Sequence, residues 1–228
     1  YTESDKKNYC LIAIVLFVCY YVGCKKQTVF LLLNLSGGRY TMLSIILPTY
    51  NEEGNIENAY HKIKEVLAPK GIEFELVFVN DGSKDRSFEI IRQLADKVTD
   101  AKILGLSFSR NFGKEAAIFA GLSHATGDVC AVMDCDMQHP PETLLDMYAL
   151  WQEGFEIIEG VKRSRGKENF IYKGFAKLFY SLISRSTGIE MQRSSDFKML
   201  DRKVVDEYIK LPERNIFFRA LSSWLGYK

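Results

Sequence analysis

From residue 42 onward the chain alternates short apolar runs with stretches of helical spacing. Leu43–Pro48, Phe74–Val79, Ile103–Phe108 and Val129–Met133 are runs of aliphatic and aromatic residues of strand length, and each reads as a buried strand. Between them, Asn55–Leu67 places Ile56, Ala59, Ile63, Val66 and Leu67 on one helical stripe. Ser87–Val98 and Glu115–Ala125 predict two further helices, and Thr143–Gln152 a fourth after Pro140-Pro141. Phe155–Val161 predicts a fifth strand. Asn169–Ser184 has an apolar stripe at Phe170, Phe175, Leu178, Phe179 and Leu182, opposed by Asn169, Lys173, Lys177 and Ser181, and predicts a strongly amphipathic helix. Asp196–Leu200 and Arg202–Lys210 predict one more strand and a short helix. Strands alternating with helices imply an α/β fold, a mostly parallel sheet flanked by helices on both faces, in a single domain.

The N-terminal residues 1–41 follow another pattern. Tyr9–Cys24 is uncharged and largely apolar, with lysine pairs on both sides, and a second apolar patch, Val29–Leu35, follows. Its sixteen residues fall short of the ~20 that span a bilayer, and no small-residue cleavage site follows. Three readings stand: a short membrane anchor, an interfacial segment, or sequence that is not part of the natural protein, with Met42 as the favoured natural start. Residues 42–228 form the expected domain, and the ending Leu225-Gly226-Tyr227-Lys228 reads as cut in mid-domain.

Composition narrows the classes. With 228 residues, 47% hydrophobic and 26% charged, the chain has the means for one sizeable core, which excludes global disorder. A net charge of +1 lacks the basic excess of a nucleic-acid binder, so any anion site is local. The five cysteines (Cys10, Cys19, Cys24, Cys130, Cys135) form no C-x-x-C pair, which argues against a zinc site or a disulfide framework and for a reducing compartment.

In parallel α/β sheets ligands bind beyond the carboxyl ends of the strands. Those ends carry Tyr50-Asn51-Glu52, Asn80-Asp81-Gly82-Ser83, Ser109-Arg110-Asn111 and Asp134-Cys135-Asp136, so an acidic residue follows three of the first four strands. Asp134 and Asp136, one residue apart at a strand end, suit a hard cation such as Mg²⁺, which takes one or two carboxylates together with substrate phosphates. Such a cation neutralises charge on a departing diphosphate. Asp81 is placed to accept hydrogen bonds from a uracil or guanine edge or a ribose hydroxyl, or else closes a plain Asp-Gly turn. Tyr50 can stack on a base and Glu52 can bind ribose, with helix capping by Asn51 or Glu52 the alternative. Gly113-Lys114 is followed by Glu115, so the phosphate-loop pattern G-x-x-x-x-G-K-[ST] is absent, and no G-x-G-x-x-G follows the first strand. ATPase and dinucleotide readings therefore fall.

Four ordered blocks carry a resemblance: Leu47-Pro48-Thr49-Tyr50-Asn51-Glu52, Val79-Asn80-Asp81-Gly82-Ser83, Ser109-Arg110-Asn111-Phe112-Gly113-Lys114-Glu115-Ala116, and Met133-Asp134-Cys135-Asp136-Met137-Gln138-His139-Pro140-Pro141-Glu142. Together they resemble the family-two inverting glycosyltransferases of the A-type nucleotide-sugar fold. Within that family they resemble the subgroup holding dolichyl-phosphate mannose synthase and the bacterial polyprenyl-phosphate (bactoprenol) glucosyltransferases. The resemblance implies that Pro48, Tyr50, Asn51, Glu52, Asp81, Lys114, Asp134, Cys135 and Asp136 bind the nucleotide sugar. It implies that Asp134, Asp136 and Gln138 surround a divalent metal, Mg²⁺ or Mn²⁺. Gly160–Arg165 resembles the subgroup's basic loop, with Lys162 where arginine is usual and Arg163 or Arg165 able to take over its bidentate phosphate contact. Ser195-Asp196-Phe197-Lys198 resembles the segment that brings an acidic residue to the acceptor side, with Lys198 where arginine is frequent. Arg219 and Trp224 match an R-x-L-x-x-W-x-G ending.

The implied catalytic set is Asp196, Asp136, Lys162 and Arg165, with Lys162, Arg163, Arg165 and Arg219 on the acceptor phosphate. A phosphate monoester has a second pKa near ~6 and needs cations more than a base, whereas a sugar hydroxyl acceptor needs Asp196 as general base. The Lys162–Lys167 cluster beside an amphipathic helix suits a polyprenyl phosphate at the cytoplasmic membrane face; the alternative is a helix packed on the sheet with solvated charges. The donor is UDP- or GDP-linked, and a homo-oligomer is left open. The rival functions are transfer to a sugar hydroxyl of a glycan or lipid-linked oligosaccharide, and a non-catalytic nucleotide-sugar or membrane-binding module.

Overall fold

A computed structural model of the chain describes residues 17–22, 25–30, 41–161, 195–211, 218, 226 and 227. Strands β1 (Phe17–Val22) and β2 (Lys25–Phe30) pair antiparallel as a ribbon separate from the main sheet. The main elements follow as β3 (Met42–Thr49), α1 (Ile56–Leu67), β4 (Glu73–Asn80), α2 (Ser87–Lys97), β5 (Lys102–Ser107), α3 (Lys114–His124), β6 (Val129–Val132), α4 (Thr143–Gln152), β7 (Ile157–Glu159), β8 (Lys198–Asp201) and α5 (Arg202–Lys210). Among the described residues no helix is long and apolar enough to cross a membrane.

The six-stranded sheet has the order β5-β4-β3-β6-β8-β7. Its members β5, β4, β3 and β6 are mutually parallel, and β8 runs antiparallel to both β6 and β7. The expected α/β architecture, a mostly parallel sheet covered by helices, is therefore the one found. The apolar runs are continuous because both sheet faces are covered. Along β3, Leu43, Ile45 and Leu47 point into the core under α1, α2 and α4, while Ile46 points into the opposite core under α3 and α5. Leu76 and Phe78 against Val77 and Val79 repeat this alternation in β4. At Gly121 of α3 a Cβ would stand 2.4 Å from Ile46 Cγ2, so only glycine lets that helix lie this close to the sheet.

The predicted strand Phe155–Val161 shrinks to Ile157–Glu159. Among the described residues its one ladder partner is the short β8, which offers it Lys198, Met199 and Leu200. The predicted strand at Asp196 starts instead at Lys198, because the Ser195 hydroxyl accepts the Phe197 N–H (3.1 Å) and bends the chain before β8 begins. The predicted helix Asn169–Ser184, the basic cluster Lys162–Lys167, Arg219 and Trp224 lie outside the described residues.

At the amino ends of the strands a buried polar cluster ties the sheet together. Glu75 in β4 is fully buried. It accepts from Ser44 Oγ (2.6 Å) and Thr126 N (2.6 Å), and Lys102 Nζ lies 2.7 Å away. Burial pushes the Glu75 carboxyl up, but hydrogen bonds from Lys102, Ser44 and Thr126 outweigh it and hold the group below its ordinary value. All its acceptor capacity stays inside the fold, far from the opposite, carboxyl-end rim.

Candidate active site

The chain winds from β3 outward through β4 to β5, then returns to place β6 on the other side of β3. Loops leaving β3 and β6 therefore diverge, and a crevice opens between them at this switch point. The β3–β6 ladder ends at Ile46↔Val132, and Ile46 O accepts Met133 N at 3.0 Å. Strand alternation turns the Pro48 nitrogen to that same side, beyond the last pair, so a residue without an N–H costs no ladder bond there. The resulting cleft has a volume of about 330 Å³. Pro48, Tyr50, Glu52, Asp81, Lys114, Asp134, Cys135 and Asp136, all candidates from the sequence, line it together. Thr49, Asn111, Gly113 and Ala117 complete the lining without having been singled out for a role.

Two loops make the wall formed by Tyr50, Glu52 and Asp81, and they are stitched to each other by side chains. Asn51 N donates to Ser83 Oγ (2.9 Å), and Lys84 N returns a bond to Asn51 Oδ1 (2.9 Å). Glu52 N donates to Ser87 Oγ (2.9 Å), Glu53 N to Asp85 Oδ2 (3.1 Å), and Arg86 N to Glu53 Oε2 (3.0 Å). Ser87 Oγ in turn donates to Asp85 Oδ1 (2.6 Å). Asn51 thus stands behind the wall as a staple rather than in the cleft. Asp85 and Ser87 were missed by sequence reasoning, and Ser83 was named only as part of the strand-end cluster without this role. Their signal was the run of short polar side chains after Asp81, a pattern that satisfies backbone N–H groups in turns. Tyr50 is 43% exposed, which leaves a ring face open to a planar ligand.

Asp81 is almost fully buried and reaches across to a third loop. Its Oδ1 accepts Phe112 N (2.6 Å) and its Oδ2 accepts Gly113 N (2.9 Å). Burial pushes the carboxyl up, against the pull of these two N–H groups. It is more than an Asp-Gly turn: it pins the 110–113 loop, and each oxygen retains a lone pair for a ligand. The Arg110 guanidinium lies 4.3 Å from the Phe112 ring centroid and braces the same loop.

On the far wall, Asp134 and Asp136 follow β6. Asp136 is exposed, and its Oδ1 accepts Gln138 N (3.1 Å). Gln138 sits exposed on the rim, outside the cleft lining. Cys135, between the two acids, turns its thiol into the core. Burial pushes it up to about 12, so it stays a neutral thiol and a poor ligand for a hard cation. Asn51 and Met137 are the non-glycine residues with left-handed φ among the described residues, both at 55°. Both flank this cleft, where such strain concentrates in functional sites.

Lys114, the first residue of α3, projects between the walls. Its Nζ lies 2.5 Å from Asp134 Oδ1 and 3.0 Å from Asp196 Oδ2. Burial lowers the ammonium's proton affinity, but the Asp134 and Asp196 carboxylates more than compensate and raise it. Asp196, whose side chain is 10% exposed, is thereby brought to the acidic pair although it is 60 residues further along the chain than Asp136. Lys162, Arg163, Arg165 and Arg219 lie outside the described residues. The donor set at Asp134 and Asp136 is hard oxygen at a strand end, which fits Mg²⁺ or Mn²⁺ completed by phosphates and water. Among the described residues no group of three or more His, Cys, Asp or Glu side chains gathers to hold a metal unaided.

Solved structures share this architecture. A mannosyltransferase from Pyrobaculum calidifontis, in complex with GDP-mannose and Mn²⁺, superposes with a TM-score of 0.58 at 20% identity, over 82% of this chain and 53% of that one. Glucosyl-3-phosphoglycerate synthase from Mycobacterium tuberculosis, with Mn²⁺, UDP and phosphoglyceric acid, gives 0.52 at 20% identity, over 72% and 57%. The fold is thus the A-type glycosyltransferase fold. Residues 44–209 match Glycosyl transferase family 2, and the chain belongs to that family. It is 44% identical over 191 residues to an uncharacterized glycosyltransferase of Bacillus subtilis, covering 83% of this chain and 58% of that protein. It is 38% identical over 185 residues to the bactoprenol glucosyl transferase of Shigella phage SfV, covering 81% and 60%. The chain therefore spans about three-fifths of the length of these curated relatives.

Proposed function

We propose that the chain is the catalytic domain, from residue 42 onward, of an inverting glycosyltransferase that moves a sugar from a nucleoside diphosphate to a polyprenyl phosphate at the cytoplasmic face of a membrane. The observation that carries this reading is the convergence of Tyr50, Glu52, Asp81, Asp134 and Asp136 on one cleft at the sheet's switch point. The 38% identity to a bactoprenol glucosyl transferase supports the lipid acceptor.

In this reading Tyr50 stacks on the base, Glu52 holds ribose hydroxyls, and Asp81 accepts from the base edge or the ribose with its remaining lone pairs. Asp134 and Asp136 hold the divalent metal, with Gln138 at its rim. When bound there, a divalent cation would offset negative charge on the departing diphosphate. Lys114 reaches the diphosphate from the start of α3. An acceptor phosphate oxygen attacks the anomeric carbon opposite the leaving group, forming the new C–O bond as the old one breaks. That oxygen is already ionised near neutral pH, so Lys162, Arg163, Arg165 and Arg219 serve to hold charge rather than to move a proton. Asp196 lies on the acceptor side and orients that half of the site.

Incubation with labelled nucleotide sugar, Mn²⁺ and either polyprenyl phosphate or a glycan tests the reading. Labelled lipid is expected, abolished by Asp136→Ala with nucleotide binding only modestly weakened. Product on the glycan alone, or no turnover with any donor, overturns it.

A further inference from the structure

The Lys114 ammonium occupies an unusual position. It stands at the first turn of α3, where the helix dipole disfavours a cation, and its side chain is only 38% exposed. Two carboxylates offset that cost. Asp134 comes from the end of β6 and Asp196 from the bend before β8, so one charge joins three separate elements. Asp134 is also one of the two carboxylates assigned to the metal. A Mg²⁺ or Mn²⁺ ion binding the free protein has to displace an ammonium already 2.5 Å from Asp134 Oδ1. In return it finds few protein donors, since no third His, Cys, Asp or Glu gathers there among the described residues.

A nucleoside diphosphate changes both terms. Its phosphate oxygens supply further hard ligands, and they offer the Lys114 ammonium a more highly charged partner than a carboxylate. We propose that Lys114 is a stand-in cation: it neutralises Asp134 and holds it beside Asp196 while the cleft is empty, and it yields Asp134 to the metal when a nucleoside diphosphate arrives. Metal and nucleotide binding are then positively coupled, and by linkage each strengthens the other by the same factor. Lys114 sets the size of that factor. It is a positioning residue, and the inference rests on the assignment of Asp134 and Asp136 to the metal.

Mn²⁺ titration followed by the electron paramagnetic resonance of the free ion reads the coupling directly, without turnover. Wild-type protein is expected to bind Mn²⁺ weakly alone and at least about tenfold more tightly with UDP or GDP present. Lys114→Met removes the competing charge and is expected to tighten nucleotide-free Mn²⁺ binding by about tenfold or more. Lys114→Gln, which keeps two amide N–H donors for the carboxylates, is expected to do the same and covers the case in which the methionine variant does not fold. Lys114→Arg retains the charge and is expected to stay weak. If removing the charge leaves nucleotide-free binding unchanged or weaker while wild type still takes up Mn²⁺ with nucleotide, the stand-in role is wrong and the metal site stands. If no protein binds Mn²⁺ even with nucleotide, the metal assignment falls and the inference falls with it.

Discussion

Ser87→Ala tests whether the stitched loops are what presents Tyr50 and Glu52 to a ligand. The Ser87 hydroxyl is fully buried, accepts Glu52 N at 2.9 Å and donates to Asp85 Oδ1 at 2.6 Å. A hydrogen bond to a carboxylate contributes about 1.5–3 kcal/mol and a neutral one about 0.5–1.5 kcal/mol. Asp85 keeps the Ser87 N–H at 3.0 Å, so its carboxylate is not orphaned. Glu52 is half-buried, and water can reach its freed N–H. The lower ends of both ranges therefore apply, and the expected loss is about 2 kcal/mol. For a urea dependence of about 1–3 kcal/mol per molar, the unfolding midpoint drops by roughly 1 M. Nucleotide affinity is expected to fall about tenfold as well, because the 50–53 loop must be reordered on binding. Circular dichroism in urea and calorimetric titration of UDP and GDP measure both effects. A midpoint within about 0.2 M of wild type together with unchanged affinity would show that the stitching does not organise the site.

Gly82→Ala is expected to be more damaging. Gly82 has φ +67°, and an added Cβ would stand 2.3 Å from the Arg110 carbonyl carbon, so the 110–113 loop must move off Asp81. A thermal melt should show a loss of at least about 3 kcal/mol, beyond the 1–2 kcal/mol of left-handed strain alone. Glu75 makes stability acid-sensitive. Its folded carboxyl sits below the ordinary 4.5, so its contribution is complete above that value and is lost as pH falls through the lower folded value. Urea midpoints between pH 7 and 3 should fall less steeply in Glu75→Gln than in wild type. Lys102→Met should cost about 3–5 kcal/mol at pH 7 by stranding the buried carboxylate. Cys130 and Cys135 are buried thiols pushed up to about 12, so iodoacetamide at pH 8 should leave both unmodified in native protein and label both in urea, as read by mass spectrometry.

The elements were legible to within a residue or two wherever both sheet faces are covered. Runs such as Ile45–Leu47 and Leu76–Val79 have no polar break to confuse them. Sheet order was not legible, because the pairing of β6 with β3 and of β8 with β6 depends on contacts between residues far apart in sequence. Asp134, Asp136, Asp81 and Tyr50 could be placed at strand ends from the alternation alone. The partners of those residues could not be. Lys114 read, through the resemblance, as one of the nucleotide-sugar contacts, and only the fold sets Asp134 and Asp196 on either side of it. Ser83 read only as part of the strand-end cluster after β4, Ser87 as the start of a helix, and Asp85 had no reading, since a local pattern does not reveal which neighbouring loop such side chains reach.

The reversed direction of β8 divides the cleft by chain history. Every group on the donor wall leaves the finishing end of a forward strand before residue 140, whereas Asp196 arrives at the beginning of a strand that points back. Substitutions at the start of β8 can therefore alter the surroundings of Asp196 while the β3-to-β6 scaffold, with its stitched loops and buried Glu75, keeps its own contacts. Under the proposed function, a chain built this way can exchange one acceptor for another without rebuilding the half assigned to the nucleotide.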